Sequence, residues 1–405
     1  MAEVLGNPIP ADHLSDQLFL LVGTNPLPNY VSALMLTRSD STIYLLHSAA
    51  TRHIANSLEN LLQRQKPDLQ IKPYEIDESD IYSLIRKLEK LAENFHEDSG
   101  SVGLNYTGGT KPMAVHAYRT LERYADEFEN GRVMFSYLDA RKLAMRFDHN
   151  GSLFPLNQHI NITLEEMANL HGYFLPRNEQ PGFVYPELIR EITLLHSTAG
   201  GYQAWKSWLN TQPFSTLPDP EILPELAGIG KVMDALCGGE ATPSNFAGLL
   251  EFNTLESAWT WLNSLWMEVL VYQTLKQLAP EFHTTAYHAG IKPEPLRHLK
   301  IKAARNFELD AAIVIGYQLY GISCIVSEYA KGETKKHLFE AFVRARQLGG
   351  DEARIGLVCC VENPQAVTSE IERDWHTSGQ IRVFGRPDLP NLANAMRKWF
   401  AGANR

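Results

Sequence analysis

The sequence predicts an α/β chain in three parts. Residues 1–150 read as a mostly parallel sheet with helices on both faces, 151–250 as a helical linker region, and 251–405 as a second α/β domain. Three observations predict this. Short apolar runs alternate with amphipathic helical patterns through the first part. Prolines punctuate the second part, and no such alternation appears there. The third part reads in the order α-β-β-β-α-β.

In the first part, Leu18 to Val22 (LFLLV) is a continuous apolar run, as expected of a strand buried on both faces. Ile43 to Leu46 is a second run. Ile54, Leu58, Leu61 and Leu62 then recur at helical spacing. Ile71 to Ile76 is a weaker strand, and Pro73 within it points to a sheet edge. Ile81, Leu84, Ile85, Leu88 and Leu91 mark another amphipathic helix. Val102 to Tyr106 is a strand, followed by a glycine turn and a helix from about Met113. Val133 to Leu138 and Leu143 to Phe147 are two further strands. In the middle, Trp205 and Trp208 read as core residues, and no separate active site is expected.

The last part opens with Leu255 to Leu278, read as one long and largely buried helix. A strand near Phe282 to Tyr287 is expected next, then Phe307 to Ile315, a hairpin through Gly316-Tyr317-Gln318, and a return strand Leu319 to Val326. A helix from about Thr334 to Leu348 and a strand from Ile355 to Cys360 complete the order.

The chain has 405 residues, enough for two to three domains at roughly 100–200 residues each. With 44% hydrophobic and 21% charged residues it falls in the globular range, which argues against disorder. The formal net charge of -10 disfavours a chain held on nucleic acid by bulk attraction, but leaves room for a nuclease with a local basic groove. The cysteines Cys237, Cys324, Cys359 and Cys360 lack the spacing of a zinc site and are too few for a disulfide framework. No signal peptide and no apolar stretch of membrane-spanning length is apparent, so a soluble cytoplasmic protein is expected.

Three strand ends in the first part carry polar or glycine-rich turns: Gly23-Thr24-Asn25, His47-Ser48 and Tyr106-Thr107-Gly108-Gly109-Thr110-Lys111. In such sheets ligands bind beyond the carboxyl ends of strands. Two glycines let a backbone approach a ligand, and the following helix start offers free N–H groups to an anion. The spacing fits neither a P-loop nor a dinucleotide fingerprint. A plain glycine turn capping a strand is the alternative.

The segments LFLLVGTNPLPN (18–29) and NYTGGTKPM (105–113) resemble the CARF domains of CRISPR-associated proteins. The resemblance implies a Rossmann-like fold, a two-fold homodimer and a cyclic oligoadenylate bound across the dimer axis. On it, Thr24, Asn25, Ser48, Thr107, Gly108, Gly109, Thr110 and Lys111 fall where the family contacts its ligand. A cyclic tetra-adenylate is pseudo-symmetric, which suits an isologous dimer.

The C-terminal order, with WLNSLWMEVLVYQ, NFELDAAIV, LYGISC and HLFEAFVRARQLGGDEARIGLVCC, resembles the restriction-endonuclease-like PD-(D/E)xK fold of CARF-containing CRISPR ancillary nucleases. That resemblance implies a DNA or RNA substrate and carboxylates around Mg²⁺ or Mn²⁺, with a lysine near the attacking water. Glu268 and Asp310 fit the first two carboxylates. The E-x-K element falls at Ser323-Cys324-Ile325, so either the site is dead or its groups have moved. Lys336, Glu340 and Arg344 follow at i, i+4, i+8 on the next helix, and Glu340 with Lys336 is the expected replacement. Glu328 and Lys331 are the competing pair. The alternatives are a solvated salt-bridge stripe for the helix residues, a strand-start turn residue for Asp310 and a paired structural carboxylate for Glu268. Lys292, Arg297, Lys300, Lys302 and Arg305 form a basic stretch suited to phosphates, or an exposed charged loop.

Overall fold

The structure is a computed structural model. It describes residues 2–93, 95, 100–125, 133–176, 185–210, 216, 218–219, 221, 223–252, 254–296, 308–328, 332–377 and 379–402. Arg297, Lys300, Lys302, Arg305 and Lys331 lie outside the described residues.

The first domain runs β1 (Glu3–Val4), β2 (Ser15–Val22), α1 (Leu27–Leu36), β3 (Thr37–His47), α2 (Arg52–Gln65), β4 (Gln70–Glu75), α3 (Ile81–Ala92), β5 (Val102–Asn105), α4 (Lys111–Arg123), β6 (Val133–Asp139), β7 (Ala144–Phe147) and β8 (Leu153–Pro155). Its main sheet has the order β4-β3-β2-β5-β6-β7-β8. The strands from β4 to β6 are parallel, and β7 and β8 return antiparallel. Pro73 lies on β4, the edge strand, where its missing donor costs no ladder bond. The sheet continues past residue 150 through β8. Beyond it come β9 (Ile160–Asn161), which pairs with β1, and α5 (Leu164–Leu170).

Alternation along β2 explains why the sheet is buried on both faces. Leu18, Leu20 and Val22 enter a core with α1, α2 and α5, whereas Phe19 and Leu21 enter a second core with α3 and α4. Each fully buried Leu or Phe side chain contributes about 1.5–3 kcal/mol. The chain winds outward from β2 to β4, then crosses back to β5. The β2/β5 boundary is therefore the switch point where strand order reverses.

The remaining chain runs β10 (Tyr173–Phe174), α6 (Pro186–His196), α7 (Ala199–Leu209), α8 (Ala227–Leu236), α9 (Pro243–Leu249), α10 (Leu255–Thr260), α11 (Trp266–Leu278), β11 (Tyr287–Ile291), β12 (Glu294–Pro295), β13 (Leu309–Ile315), β14 (Gln318–Cys324), α12 (Glu333–Gly349), β15 (Arg354–Val358), α13 (Pro364–Trp375), β16 (Ile381–Phe384) and α14 (Leu392–Gly402). The second sheet has the order β11-β13-β14-β15-β16. Its first three strands are antiparallel and its last three parallel.

Two expectations change here. The strand expected at Phe282–Tyr287 begins only at Tyr287, because Ala279–Phe282 forms a 3-10 turn containing Pro280 and His283 follows with φ 52°. The helix read as uniform over 255–278 holds a π-helical turn at Trp261–Leu265.

Helices α6 to α11 and α14 cover one face of the second sheet, in a core that includes Trp205, Trp208, Trp261 and Trp266. On the other face, Leu338, Ala341, Ala345 and Leu348 of α12 join the same core as α1, α2 and α5. The two domains therefore share one apolar interior, with α12 between them. Among the described residues no helix is long and apolar enough to cross a membrane.

Candidate active site and ligand-facing turns

Glu268 projects from α11 one turn past the π-helical segment. Such bulges re-aim side chains and recur at functional sites. Asn263 and Ser264 of the bulge and Glu268 line a single cavity of about 630 Å³. Asp310, near the start of β13, lines it too. The antiparallel register that pairs Ala311 with Ile322 brings Asp310 beside Ser323. Ser323 Oγ donates to Asp310 Oδ2 at 3.0 Å, and the Cys324 backbone N–H donates to the same oxygen at 2.7 Å. Asp310 is thus fixed by the serine and the cysteine of the altered E-x-K element.

Electrostatics tie the two carboxylates together. Burial, with Asp310 and Glu308 close by, raises the Glu268 pKa to about 7 against the opposing pull of Lys292. Burial also raises Asp310, and Glu308 adds to this. The hydrogen bonds from Cys324 and Ser323, and His337, oppose it.

The third wall comes from α12. His337, Glu340, Ala341 and Arg344 line the cavity at i, i+3, i+4 and i+7, one helical stripe. Arg344 Nη2 lies 3.4 Å from Glu340 Oε2, and its Nη1 donates to the Glu308 carbonyl at 2.8 Å. Lys336, one residue off this stripe, is exposed and outside the cavity lining. Lys336 lies about 40° around the helix from Glu340, beyond the edge of the stripe and on the side away from Ala341. Glu328, the competing carboxylate, accepts from Arg386 Nη2 at 2.8 Å and from Gln203 Nε2 at 3.2 Å, and serves as a structural clamp. Lys292 is exposed and ion-paired with Glu308 at 3.3 Å.

Glu268, Asp310 and Glu340 present hard oxygen donors of the kind Mg²⁺ and Mn²⁺ take. The burial of Glu268 and Asp310 raises the cost of their charge, which a divalent cation would offset. Among the described residues no three His, Cys, Asp or Glu side chains are already gathered around one point. Sequence reasoning missed Tyr202 and Lys206 of α7, which also line the cavity. They arise from the segment read as a linker, about sixty residues before Glu268, and no local pattern marks them.

In the first domain, the turn after β2 and the turn after β5 press together at the switch point. A Cβ on Gly23 would lie 2.9 Å from Gly109 N, and one on Gly108 would lie 2.1 Å from the Leu21 carbonyl oxygen. Gly109 has φ +72°, the region glycine adopts without strain. Thr107 Oγ1 donates to Asn105 Oδ1 at 2.8 Å and accepts from Leu138 N–H at 2.6 Å, fixing the turn. Thr110 caps α4 by accepting from the Met113 N–H at 3.4 Å.

Thr24, Thr110 and Lys111 are exposed, while Thr107, Gly108 and Gly109 are half-buried. Ser48 is buried and bonded to Thr51 through its backbone N–H at 3.0 Å. Asn25 is engaged on both sides of its amide. Its Nδ2 donates to Glu352 Oε2 of the second domain at 2.9 Å, and its Oδ1 accepts from Leu27 N–H at 3.2 Å.

Residues 18–166 match the family model described as the Card1 CARF domain. The first sheet and its helices are therefore a CARF domain. Over nearly its whole length the chain shares its fold with two solved structures. Protein VC1899 from Vibrio cholerae superposes at TM-score 0.66 and 16% identity, covering 96% of this chain and 99% of that one. Can2 from Sulfobacillus thermosulfidooxidans, solved in complex with cyclic tetra-adenylate, gives 0.66 at 17% identity, covering 95% and 98%. No curated protein sequence matches the chain. The chain joins a Rossmann-like CARF domain to a second α/β domain built on a five-stranded mixed sheet.

Proposed function

We propose that this chain is a cyclic-oligoadenylate-activated, metal-dependent endonuclease of type III CRISPR defence. It acts in the cytoplasm as a homodimer and cuts DNA or RNA phosphodiester bonds with little sequence preference. One observation carries the nuclease half: a single cavity lined by Glu268, Asp310, Ser323 and Glu340 in a chain with a CARF domain. The fold shared with Can2, which holds cyclic tetra-adenylate, supports that ligand class for the exposed turns at Thr24 and Thr107–Lys111.

Glu268, Asp310 and Glu340 would hold Mg²⁺ or Mn²⁺, and the bound ion would lower the pKa of an attacking water and offset charge on the scissile phosphate. The chain's own groups supply the orientation. Ser323 and the Cys324 N–H hold Asp310 at one oxygen. Arg344 holds Glu340 and ties α12 to the start of β13.

The experiment is nicking of supercoiled plasmid and cleavage of labelled RNA with Mn²⁺, with and without cyclic tetra-adenylate. Ligand-dependent cutting that disappears in Asp310→Ala, with ligand binding retained, is the expected result. Ligand binding without cutting of either substrate would instead favour a second reading, a non-catalytic sensor. The serine and isoleucine at Ser323 and Ile325, and the absence of a gathered triad among the described residues, support that rival.

A further inference from the structure

The geometry points to Lys206 as the cation that meets the substrate phosphodiester in the C-terminal cavity. This rests on the nuclease reading above. Where the resemblance calls for a lysine on the strand, the chain has Ile325, which lines the cavity as an apolar wall. The lysine expected instead, Lys336, is exposed and outside the lining.

The cavity is acidic, with Glu268, Glu308, Asp310 and Glu340 along its lining. A phosphodiester entering it meets like charge unless a cation faces it. Arg344 is engaged by Glu340 and the Glu308 carbonyl. Lys206 lines the same space and forms no ion pair among the described residues, and its ammonium lies 5.7 Å from the Tyr202 ring centroid. A half-buried ammonium with its donors unspent is suited to a phosphate.

The fold also holds Lys206 in place. Gln203, one turn before it on α7, donates to both Glu328 oxygens at 3.2 Å. Buried Arg386 grips the same carboxylate at 2.8 Å. Trp205, beside Lys206 in sequence, is wholly buried. Glu328 therefore anchors α7 against the segment leaving β14, and Lys206 reaches the cavity from that anchored helix.

The test measures binding of fluorescently labelled DNA and RNA oligonucleotides in EDTA across a salt series, for the full chain with cyclic tetra-adenylate, Lys206→Ala and Lys206→Arg. Lys206→Ala should weaken binding about tenfold and lower the salt slope by about one, with Lys206→Arg restoring both. The DNA and RNA arms identify which polymer the site prefers. In the Mn²⁺ cutting assay, Lys206→Ala should lose about a hundredfold in rate. Unchanged binding and salt slope in Lys206→Ala overturns the assignment. If Asp310→Ala abolishes cutting while Lys206→Ala cuts normally, Lys206 is wrong and the nuclease reading stands. If Asp310→Ala cuts normally, the nuclease reading itself fails.

Discussion

Replacing Glu268 by glutamine should stabilise the metal-free chain at alkaline pH. Burial beside Asp310 and Glu308 raises this carboxyl from its ordinary 4.5 to about 7. The folded chain then holds the Glu268 proton more tightly than the unfolded chain does. Its contribution is complete below about pH 4.5 and is lost as pH rises through about 7. At about 1.4 kcal/mol per pKa unit, the loss is about 3.5 kcal/mol as an upper bound, since the cavity admits water. Glutamine keeps the shape and cannot ionise. Urea denaturation in EDTA at pH 4 and pH 8 checks this: the Glu268→Gln variant should differ from wild type by the same small amount at pH 4 that the amide itself introduces, and should gain stability relative to wild type at pH 8. Glu352 is also raised and is present in both chains, so the difference reports Glu268 together with its neighbour Asp310. A variant less stable than wild type at pH 8, or one whose difference ignores pH, would refute the placement of Glu268 among buried carboxylates. Adding Mg²⁺ should then stabilise wild type more than the variant.

Glu340→Ala should abolish Mn²⁺-dependent cutting without changing cyclic tetra-adenylate binding, and full activity would remove α12 from the site. Gly108→Ala should destabilise the chain by about 2 kcal/mol or more and abolish ligand binding, because its methyl meets the Leu21 carbonyl at 2.1 Å. Thermal melting and isothermal titration measure both effects. Asn25→Ala removes the donor to Glu352, a buried carboxylate, and should cost about 1–3 kcal/mol by urea denaturation. An unchanged midpoint would show that this bond contributes nothing between the domains.

The first sheet was legible because each element states its own environment. LFLLV reads as buried on both faces, and Pro73 marks the edge that β4 occupies. The hairpin at Gly316 sets β13 against β14, so the neighbourhood of Asp310 and Ser323 followed from local turn chemistry. Lys206 did not follow, since a helix separated from the strands by about a hundred residues reaches the cavity only through tertiary packing. The exclusion of Lys336 from the cavity lining has a simpler cause. Spacings of four and eight keep residues near one face, but the choice of Lys336 over His337 depends on which way α12 is rotated, and burial of Leu338, Ala341 and Ala345 decides that. Asn25 sits in a turn that reads as ligand-facing, yet its partner Glu352 is 327 residues away.

That long-range pair ties the turn after β2 to the segment that follows α12. One stripe of the helix, through Leu338, Ala341, Ala345 and Leu348, lies in the interior shared with the CARF domain. Another, through His337, Glu340 and Arg344, lines the acidic cavity. Just beyond its C-terminus, Gly350 packs against the Asn25 side chain so closely that a Cβ there would lie 2.4 Å from Asn25 Oδ1. The turn that carries Thr24 therefore touches the segment following the helix that carries Glu340. Close-packed interiors transmit displacement instead of absorbing it. A ligand at Thr24 can favour one arrangement of Glu340 only by binding that arrangement more tightly, and a hundredfold change in cutting requires about 2.7 kcal/mol of such preference. The Asn25–Glu352 hydrogen bond, worth about 1–3 kcal/mol, is of the size that could carry much of it.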